Sequence, residues 1–262
     1  MNDIPLLSII TATYNRAQTL GDCFASVHLL FNEIHNIEHV IIDNNSSDGT
    51  NAIVKEYIKG SPYKVKYIRE ADRGIYYALN KGIAAASGTY IHLLHSDDRY
   101  STPFDISPIL LDMKEGIADV IACSVRMKNS ATKYEKIWEP RFGKRFCEFL
   151  FPHTGCIIKA SFYRRQGFYD TRFKIISDAL YIANNFPAAT ISIRDNILVE
   201  MATTGISGRE SLRYYLEKMA LILLSKNYPL YYKIKRLPII IKKTMKFLIK
   251  ICFKKDIAFF NK

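Results

Sequence analysis

Four polar clusters in the first hundred residues carry the side chains best suited to chemistry. They are Thr13-Tyr14-Asn15-Arg16, the stretch DNNSSDGT from Asp43 to Thr50, Glu70-Ala71-Asp72-Arg73-Gly74, and His95-Ser96-Asp97-Asp98. Asp, Asn, Ser and Gly are also the ordinary residues of turns and helix N-caps, so one such cluster alone says little. Four that each follow a strand-like run say more. Carboxylates and amides gathered at one edge are hard oxygen donors, suited to a divalent cation (Mg²⁺ or Mn²⁺) that bridges protein to a diphosphate. Neither GxGxxG after the first strand nor GxxxxGK[ST] occurs, which excludes the dinucleotide fingerprint and the P-loop.

The elements that must position these clusters alternate. Strand-like runs occupy 6–13, 40–43 with its flanks (EHVIIDN), 64–69 and 90–94, and helix-like patterns occupy 18–31, 50–59 and 74–86. Such alternation predicts βαβ units and a mostly parallel sheet, in which ligands bind beyond the carboxyl ends of the strands. Each cluster falls at one of those ends.

The chain has 262 residues, 48% of them hydrophobic, which is enough for a large core and excludes a disordered or collagen-like chain. Its net charge of +12 is unevenly placed. Residues 209–262 hold 14 Lys and Arg against three acids, while residues 1–208 are nearly neutral. Five cysteines (Cys23, Cys123, Cys147, Cys156, Cys252) without a CxxC pair predict neither a disulfide framework nor a zinc site. There is no signal-like leader and no apolar run near the ~20 residues that span a bilayer, so a reducing, cytoplasmic location is expected.

Five strings give the chain a specific likeness: SIITATYNR, VIIDNNSSDGT, EADRGIYYALNKGI, GTYIHLLHSDD and FKIISDALYI. In order and spacing they resemble the inverting family-two glycosyltransferases, above all bacterial enzymes that build O-antigen, capsule and exopolysaccharide units. The likeness covers about residues 5–208. It implies the GT-A fold, an α/β, Rossmann-like mixed and mostly parallel sheet flanked by helices. It also implies a nucleotide-sugar donor, commonly a UDP-sugar, a Mn²⁺ or Mg²⁺ cofactor, and a glycan or lipid-linked saccharide acceptor.

The resemblance assigns roles by position. Thr11, Thr13, Tyr14 and Arg16 would line the nucleoside end of the donor site, with Asp43 accepting a hydrogen bond from the base beside Asn44. Asp72 and Gly74 would flank the base and ribose. Asn80 and Lys81 match the following helix, as donor-sugar contacts or as helix surface. Ser96 belongs to the donor site, and Asp97 or Asp98 would hold the metal. His95 stands where relatives carry an acid or Asn, and its expected state is a neutral imidazole beside the diphosphate. His153 and Thr154 fall on the acceptor side. Asp178 matches the general base, with a first-turn helix acid as its structural alternative, and Thr204-Gly205-Ile206-Ser207 matches a loop that closes over the site. Asp170 is expected to be structural, in a turn between helix and strand. Residues 126, 135, 138, 139 and 145 are acceptor contacts or plain surface.

Three parts follow: a nucleotide-sugar half (1–100), an acceptor-side half (101–208), and a basic helical tail (209–262). At 100° per residue, Lys243, Lys246, Lys250 and Lys254 share one helical face, with Ile241, Met245, Leu248 and Cys252 nearly opposite. That pattern predicts attachment to an anionic membrane surface on the cytoplasmic side. A nucleic-acid binder would account for the tail but leave the acidic clusters unexplained, so no nucleic acid is expected. A nucleotide-sugar-binding protein without transferase activity is the nearer alternative, prompted by His95.

Overall fold

The computed structural model describes residues 4–103, 105–129, 132–142, 149–203 and 211–260. The expected closing loop at 204–207 and Arg145 lie outside them. The chain opens with β1 (Leu7–Thr13), α1 (Leu20–Phe31), β2 (Ile37–Asp43), α2 (Thr50–Gly60), β3 (Lys64–Arg69), α3 (Ile75–Ala85) and β4 (Tyr90–Leu93). These strands pair in parallel in the order β3-β2-β1-β4, as right-handed βαβ connectivity favours. Every residue of β1 and β2 is buried, which is the signature of central strands covered on both faces. β2 begins one residue before the string EHVIIDN, and Glu38 and His39 at its start are fully buried.

The second half adds β5 (Arg99–Tyr100), α4 (Ser107–Glu115), β6 (Val120–Asn129), β7 (Tyr134–Trp138) and the small β8 (Arg141–Phe142) and β9 (Phe149–Leu150) pair. A single 3₁₀ turn, His153–Gly155, leads into β10 (Cys156–Lys159), α5 (Ala160–Gln166), α6 (Ser177–Asn185) and β11 (Ile191–Ala202). The sheet continues β4-β10-β6-β11-β5, with β10 antiparallel to both neighbours, β6 and β11 parallel, and β7 along β6. It is the mixed α/β sheet of a GT-A-like fold. Asp170 lies in a turn between α5 and α6, two helices, and not before a strand as expected.

Period-2 alternation sends successive strand residues to opposite faces. Leu7, Ile9 and Ile41 join Leu20, Phe24, Val27 and Ile109 on one side. Ile10, Val40 and Ile42 join Tyr76, Leu79, Phe162, Tyr181 and Phe186 on the other. Helices α1, α2 and α4 thus cover one face, and α3, α5 and α6 the other.

The tail forms α7 (Leu212–Leu224) and α8 (Leu230–Phe260). Ser211 caps α7 by accepting the Tyr214 N–H at 3.1 Å. Tyr215 meets Phe247 with ring centroids 5.4 Å apart, and Leu237, Ile240 and Thr244 of α8 are also at least half-buried. Ile234, Ile241, Met245 and Ile249 remain exposed. Leu248 is half-buried, so the uncovered apolar stripe keeps Ile241 and Met245 of the expected one and runs on through Ile249 in place of Leu248.

Gly155 sets the contact between the 3₁₀ turn and β6, because a Cβ there would strike the Cys123 carbonyl oxygen. That partner is backbone and cannot swing aside. Gly155→Ala is therefore expected to lower stability by ~1–3 kcal/mol through overpacking, read as a lower urea midpoint with an unchanged slope.

Candidate functional site

The loops after β1 and β2 are stitched to each other before any ligand arrives. Asn15 N–H donates to Ser46 Oγ at 2.9 Å, Arg16 N–H to Thr50 Oγ1 at 3.0 Å, and Ser47 N–H to Asn15 Oδ1 at 2.9 Å. Asn15 and Asn45 both sit at φ 51°, the left-handed region that Asn tolerates better than other side chains. Asp43 is fully buried. Its Oδ1 accepts Ser46 N–H at 2.9 Å and Ser46 Oγ at 2.5 Å, while its Oδ2 accepts Tyr67 O–H at 2.8 Å and faces Arg69 Nε at 3.4 Å. In this structure the carboxylate ties three strand ends together.

The third cluster is built in the same way. Asn44 Oδ1 accepts the Asp72 N–H, and Lys81 Nζ bridges Asp72 Oδ1 at 2.8 Å and Glu70 Oε1 at 2.5 Å. Asp72 Oδ2 is buried without a protein partner. Gly74 adopts φ 150°, which a side chain would strain, and so turns the chain sharply into α3. Lys81 and Asn44 therefore set the position of Asp72. Asn80 exchanges two hydrogen bonds with the Tyr169 backbone, at 2.8 and 3.0 Å, and latches α3 to the segment before α6.

After β4, the Ser96 carbonyl accepts Thr19 O–H at 2.8 Å, and the Ser96 side chain is buried. The two aspartates that follow diverge. Asp97 is partly open and faces Arg16 Nη2 at 3.7 Å. Asp98 is buried, its Oδ1 takes the Ala202 N–H at 3.0 Å, and its Oδ2 has no partner. Burial, and then the charge of Asp97, push the Asp98 carboxyl well above the usual carboxylate range. An orphaned carboxylate oxygen beside a second carboxylate fits a hard cation. Among the described residues no group of three or more His, Cys, Asp or Glu is assembled for a metal. An ion would therefore draw one or two protein ligands and complete its shell from a diphosphate and water.

Asp178 stands in the first turn of α6, 31% exposed. Its Oδ1 takes Tyr76 O–H at 2.9 Å and the Ala179 N–H at 2.8 Å. Its Oδ2 faces His153 Nδ1 at 3.9 Å, too far for a hydrogen bond. One oxygen is thus anchored and the other is left to accept a proton. Burial raises the Tyr76 phenol, and the Asp178 carboxylate raises it further, so Tyr76 stays a donor. Burial lowers His153 to about 4, and its Nε2 pairs with Tyr169 Oη at 2.7 Å. His95 is held neutral by burial against the fields of Asp97 and Asp178, and its ring centroid lies 6.3 Å from that of His153. The histidine pair links the two carboxylate groups in one polar cleft.

Not all the expected residues face that cleft. Thr11 is fully buried with its hydroxyl on His39 Nε2 at 2.9 Å, and Thr13 Oγ1 is buried without a partner. Thr154 is buried, its carbonyl on His92 Nε2 at 2.8 Å. Tyr14 is 57% exposed. Two residues that the motifs do not single out belong to the site's frame. Tyr76 sits in the GIYYALNKGI string but lies 102 positions from its partner Asp178, so spacing gives no hint of the pair. Glu200, a lone acid in the strand-like string ILVEMA, accepts from Arg99 Nε and Nη2, Arg126 Nη1 and Lys128 Nζ at 2.8–3.0 Å. Arg99 follows Asp98 directly, so this cluster braces the acidic pair. Arg126 also meets Glu135 at 3.2 Å.

Burial alone would raise the Glu200 carboxyl, but hydrogen bonds from Lys128, Arg99 and Arg126 outweigh it and hold the group at about 2, against an ordinary 4.5. A depressed folded value means its stabilisation is full above about pH 4.5 and fades as pH falls towards 2. Glu200→Gln should remove that limb, so that stability changes less between pH 4.5 and 2 than in the unsubstituted chain. Urea melts across that window measure the difference.

Residues 8–173 match the Glycosyl transferase family 2. An uncharacterized glycosyltransferase, Rv1514c of Mycobacterium tuberculosis, is 28% identical over 225 residues, 79% of this chain and 78% of that one. The putative teichuronic acid biosynthesis glycosyltransferase TuaG of Bacillus subtilis is 36% identical over 98 residues. That stretch is 37% of each chain, and in the B. subtilis relative EpsJ the shared stretch is 36% of its length. By fold, the chain is similar to S. aureus TarS 1–349 in complex with UDP-GlcNAc, with a TM-score of 0.66 and 18% identity over 92% of this chain and 73% of that one. It is also similar to the mannosyltransferase PcManGT from Pyrobaculum calidifontis in complex with GDP-Man and Mn²⁺, with a TM-score of 0.62 and 15% identity over 85% and 64%. With the match running from the first strand to beyond Tyr169, the chain belongs to the Glycosyl transferase family 2.

Proposed function

We propose that the protein transfers a sugar from a nucleoside-diphosphate sugar, UDP being the favoured carrier, to a glycan or lipid-linked saccharide. The linkage is made with inversion at the anomeric carbon, in the synthesis of a cell-surface polysaccharide of O-antigen or capsule type. The observation that carries this reading is Asp178, with Oδ1 anchored by Tyr76 and Ala179 and Oδ2 open towards the cleft that also holds Asp97. One free carboxylate oxygen is what a single displacement needs. The acceptor oxygen bonds to the anomeric carbon as its proton passes to Asp178 Oδ2, and the bond to the phosphate oxygen breaks with its electron pair on the departing diphosphate.

The donor end draws on different residues. Arg16, Tyr14, Asp72 and Gly74 border the region assigned to nucleoside and ribose; Asn44 and Lys81 hold Asp72 in register, Asp43 holds the loop after β2, and Thr11 and Thr13 lie buried behind them. Asp97 and Asp98 would hold a Mn²⁺ or Mg²⁺ ion, which supplies charge neutralisation for the leaving diphosphate. The UDP-GlcNAc complex of TarS and the GDP-Man and Mn²⁺ complex of PcManGT support a nucleotide-sugar and a divalent cation for this chain too. TuaG supports a polysaccharide setting.

The basic hairpin supports work at a membrane surface. Exposed Ile234, Ile241, Met245 and Ile249 lie beside exposed Lys235, Lys242 and Lys246, an apolar strip edged with cations. No helix among the described residues is long and apolar enough to cross a bilayer. The strip favours peripheral attachment on an anionic, cytoplasmic face.

Three measurements test these readings. Asp178→Asn should leave UDP-sugar affinity within about twofold and lower kcat by roughly 10²–10⁴-fold; near-normal turnover would sink the base assignment. Donor binding without product in the unsubstituted chain, across a panel of acceptors, would favour a binding protein. Replacing Lys235, Lys242 and Lys246 by Ala together should weaken binding to phosphatidylserine-containing vesicles by roughly a hundredfold, at about 1 kcal/mol per lysine. Unchanged co-sedimentation would remove the membrane from the proposal.

A further inference from the structure

A cavity of about 310 Å³ borders α6 and the end of α7. It is lined by Ser177, Tyr181, Asn184 and Asn185 of α6 and its C-cap side, by Phe168 and Asp170 before α6, and by Leu224 and Lys226. At 100° per residue Ser177, Tyr181 and Asn184 share one face of α6, and Asp178 stands about a quarter-turn round from Ser177. The cavity and the Asp178 carboxylate are thus two outlooks of one helical turn.

Ser177 and Tyr181 are 1% and 5% exposed, and the hydroxyls of both are buried without a protein partner. Leaving a buried hydroxyl unmade costs folding free energy, and two in one wall are not accounted for by the fold. Each can donate and accept. Asp170 is paired with Arg172 at 2.6 Å, which leaves little net charge in the cavity beyond Lys226. Phe168, 46% exposed, and Leu180 add apolar surface. Paired donor–acceptor hydroxyls, side-chain amides, weak net charge and an exposed ring suit a neutral polyhydroxylated ring with one apolar face, which is a sugar.

We propose that this cavity is a second saccharide subsite, which holds a sugar of the acceptor glycan remote from the reacting hydroxyl. This rests on the transferase reading above. Its occupant would touch the two segments that carry the acceptor-side groups: Ser177 adjoins Asp178, and Asp170 adjoins Tyr169, whose hydroxyl holds His153. Binding energy gathered there would orient the acceptor at the base, so long acceptors gain over short ones.

The test uses the full chain on a printed array of bacterial oligosaccharides, without nucleotide-sugar, and transfer assays with a monosaccharide and with the best array ligand. The unsubstituted chain and Asp178→Asn should both bind at least one oligosaccharide. Tyr181→Phe, which removes an unpaired hydroxyl and keeps the ring, should weaken that binding about five- to tenfold and raise KM for the long acceptor. UDP-sugar affinity and transfer to the monosaccharide should stay unchanged, and Tm should hold or rise. A purely structural tyrosine predicts no effect on glycan binding. Asn185→Leu provides a second probe of the same wall. Absence of any array ligand, or equal binding by the unsubstituted chain and both cavity variants, overturns the subsite. Failure of UDP-sugar binding in the unsubstituted chain would instead strike the transferase reading.

Discussion

The buried carboxylate of Asp43 is the tie on which the loops after β1, β2 and β3 depend. A charge at zero exposure is tolerated only when its lone pairs are met, and here Ser46, Tyr67 and Arg69 meet them from the loop after β2 and from β3. Ser46 in turn accepts the Asn15 N–H from the loop after β1. Three strand ends are locked by one anion, and Asn44 beside it sets the Asp72 loop. A cleft assembled by such local ties is largely preformed. That matters for a reaction whose acceleration comes from orientation and fixed charge.

The surroundings of Asp178 are held by different chemistry. Tyr163, Tyr169 and His153 form a hydroxyl-to-imidazole chain at 2.7–2.9 Å, and Tyr76 reaches Asp178 from α3, in the same helix layer as α6. The Glu200 cluster closes the third side by gathering Arg99 of β5 and Arg126 and Lys128 of β6 around a carboxylate of β11. The polar groups behind the cleft are thus mostly paired. Asp72 Oδ2, Asp98 Oδ2 and Thr13 Oγ1, near the donor side, stand as exceptions.

Much of the framework is legible in the order of residues alone. The strands at 64–69 and 90–94 and the helices at 50–59 and 74–86 agree with the observed elements to within a residue or two, because apolar periodicity and Gly boundaries are local signals. The burial of Glu38 and His39 in β2 is less legible, since Ser8, Lys66, Thr11 and Tyr57 come from other elements to satisfy them. The motifs point to Asp97, Asp98 and Asp178 as acids near strand and helix ends. They do not distinguish a carboxylate that faces the cleft from one sealed beneath it.

By itself the sequence determined the alternation of strands and helices, the concentration of acids at strand ends, and the separation of a near-neutral catalytic region from a basic tail. Periodicity, turn chemistry and charge are properties of neighbours along the chain. Only the tertiary structure decided which oxygens are free. Asp43 and Thr11 are turned inward and paired, Asp98 is buried with one oxygen open, and Asp178 has one oxygen anchored by a tyrosine 102 positions away. Availability for chemistry depends on burial and on partners from distant segments, and those are set when the layers pack.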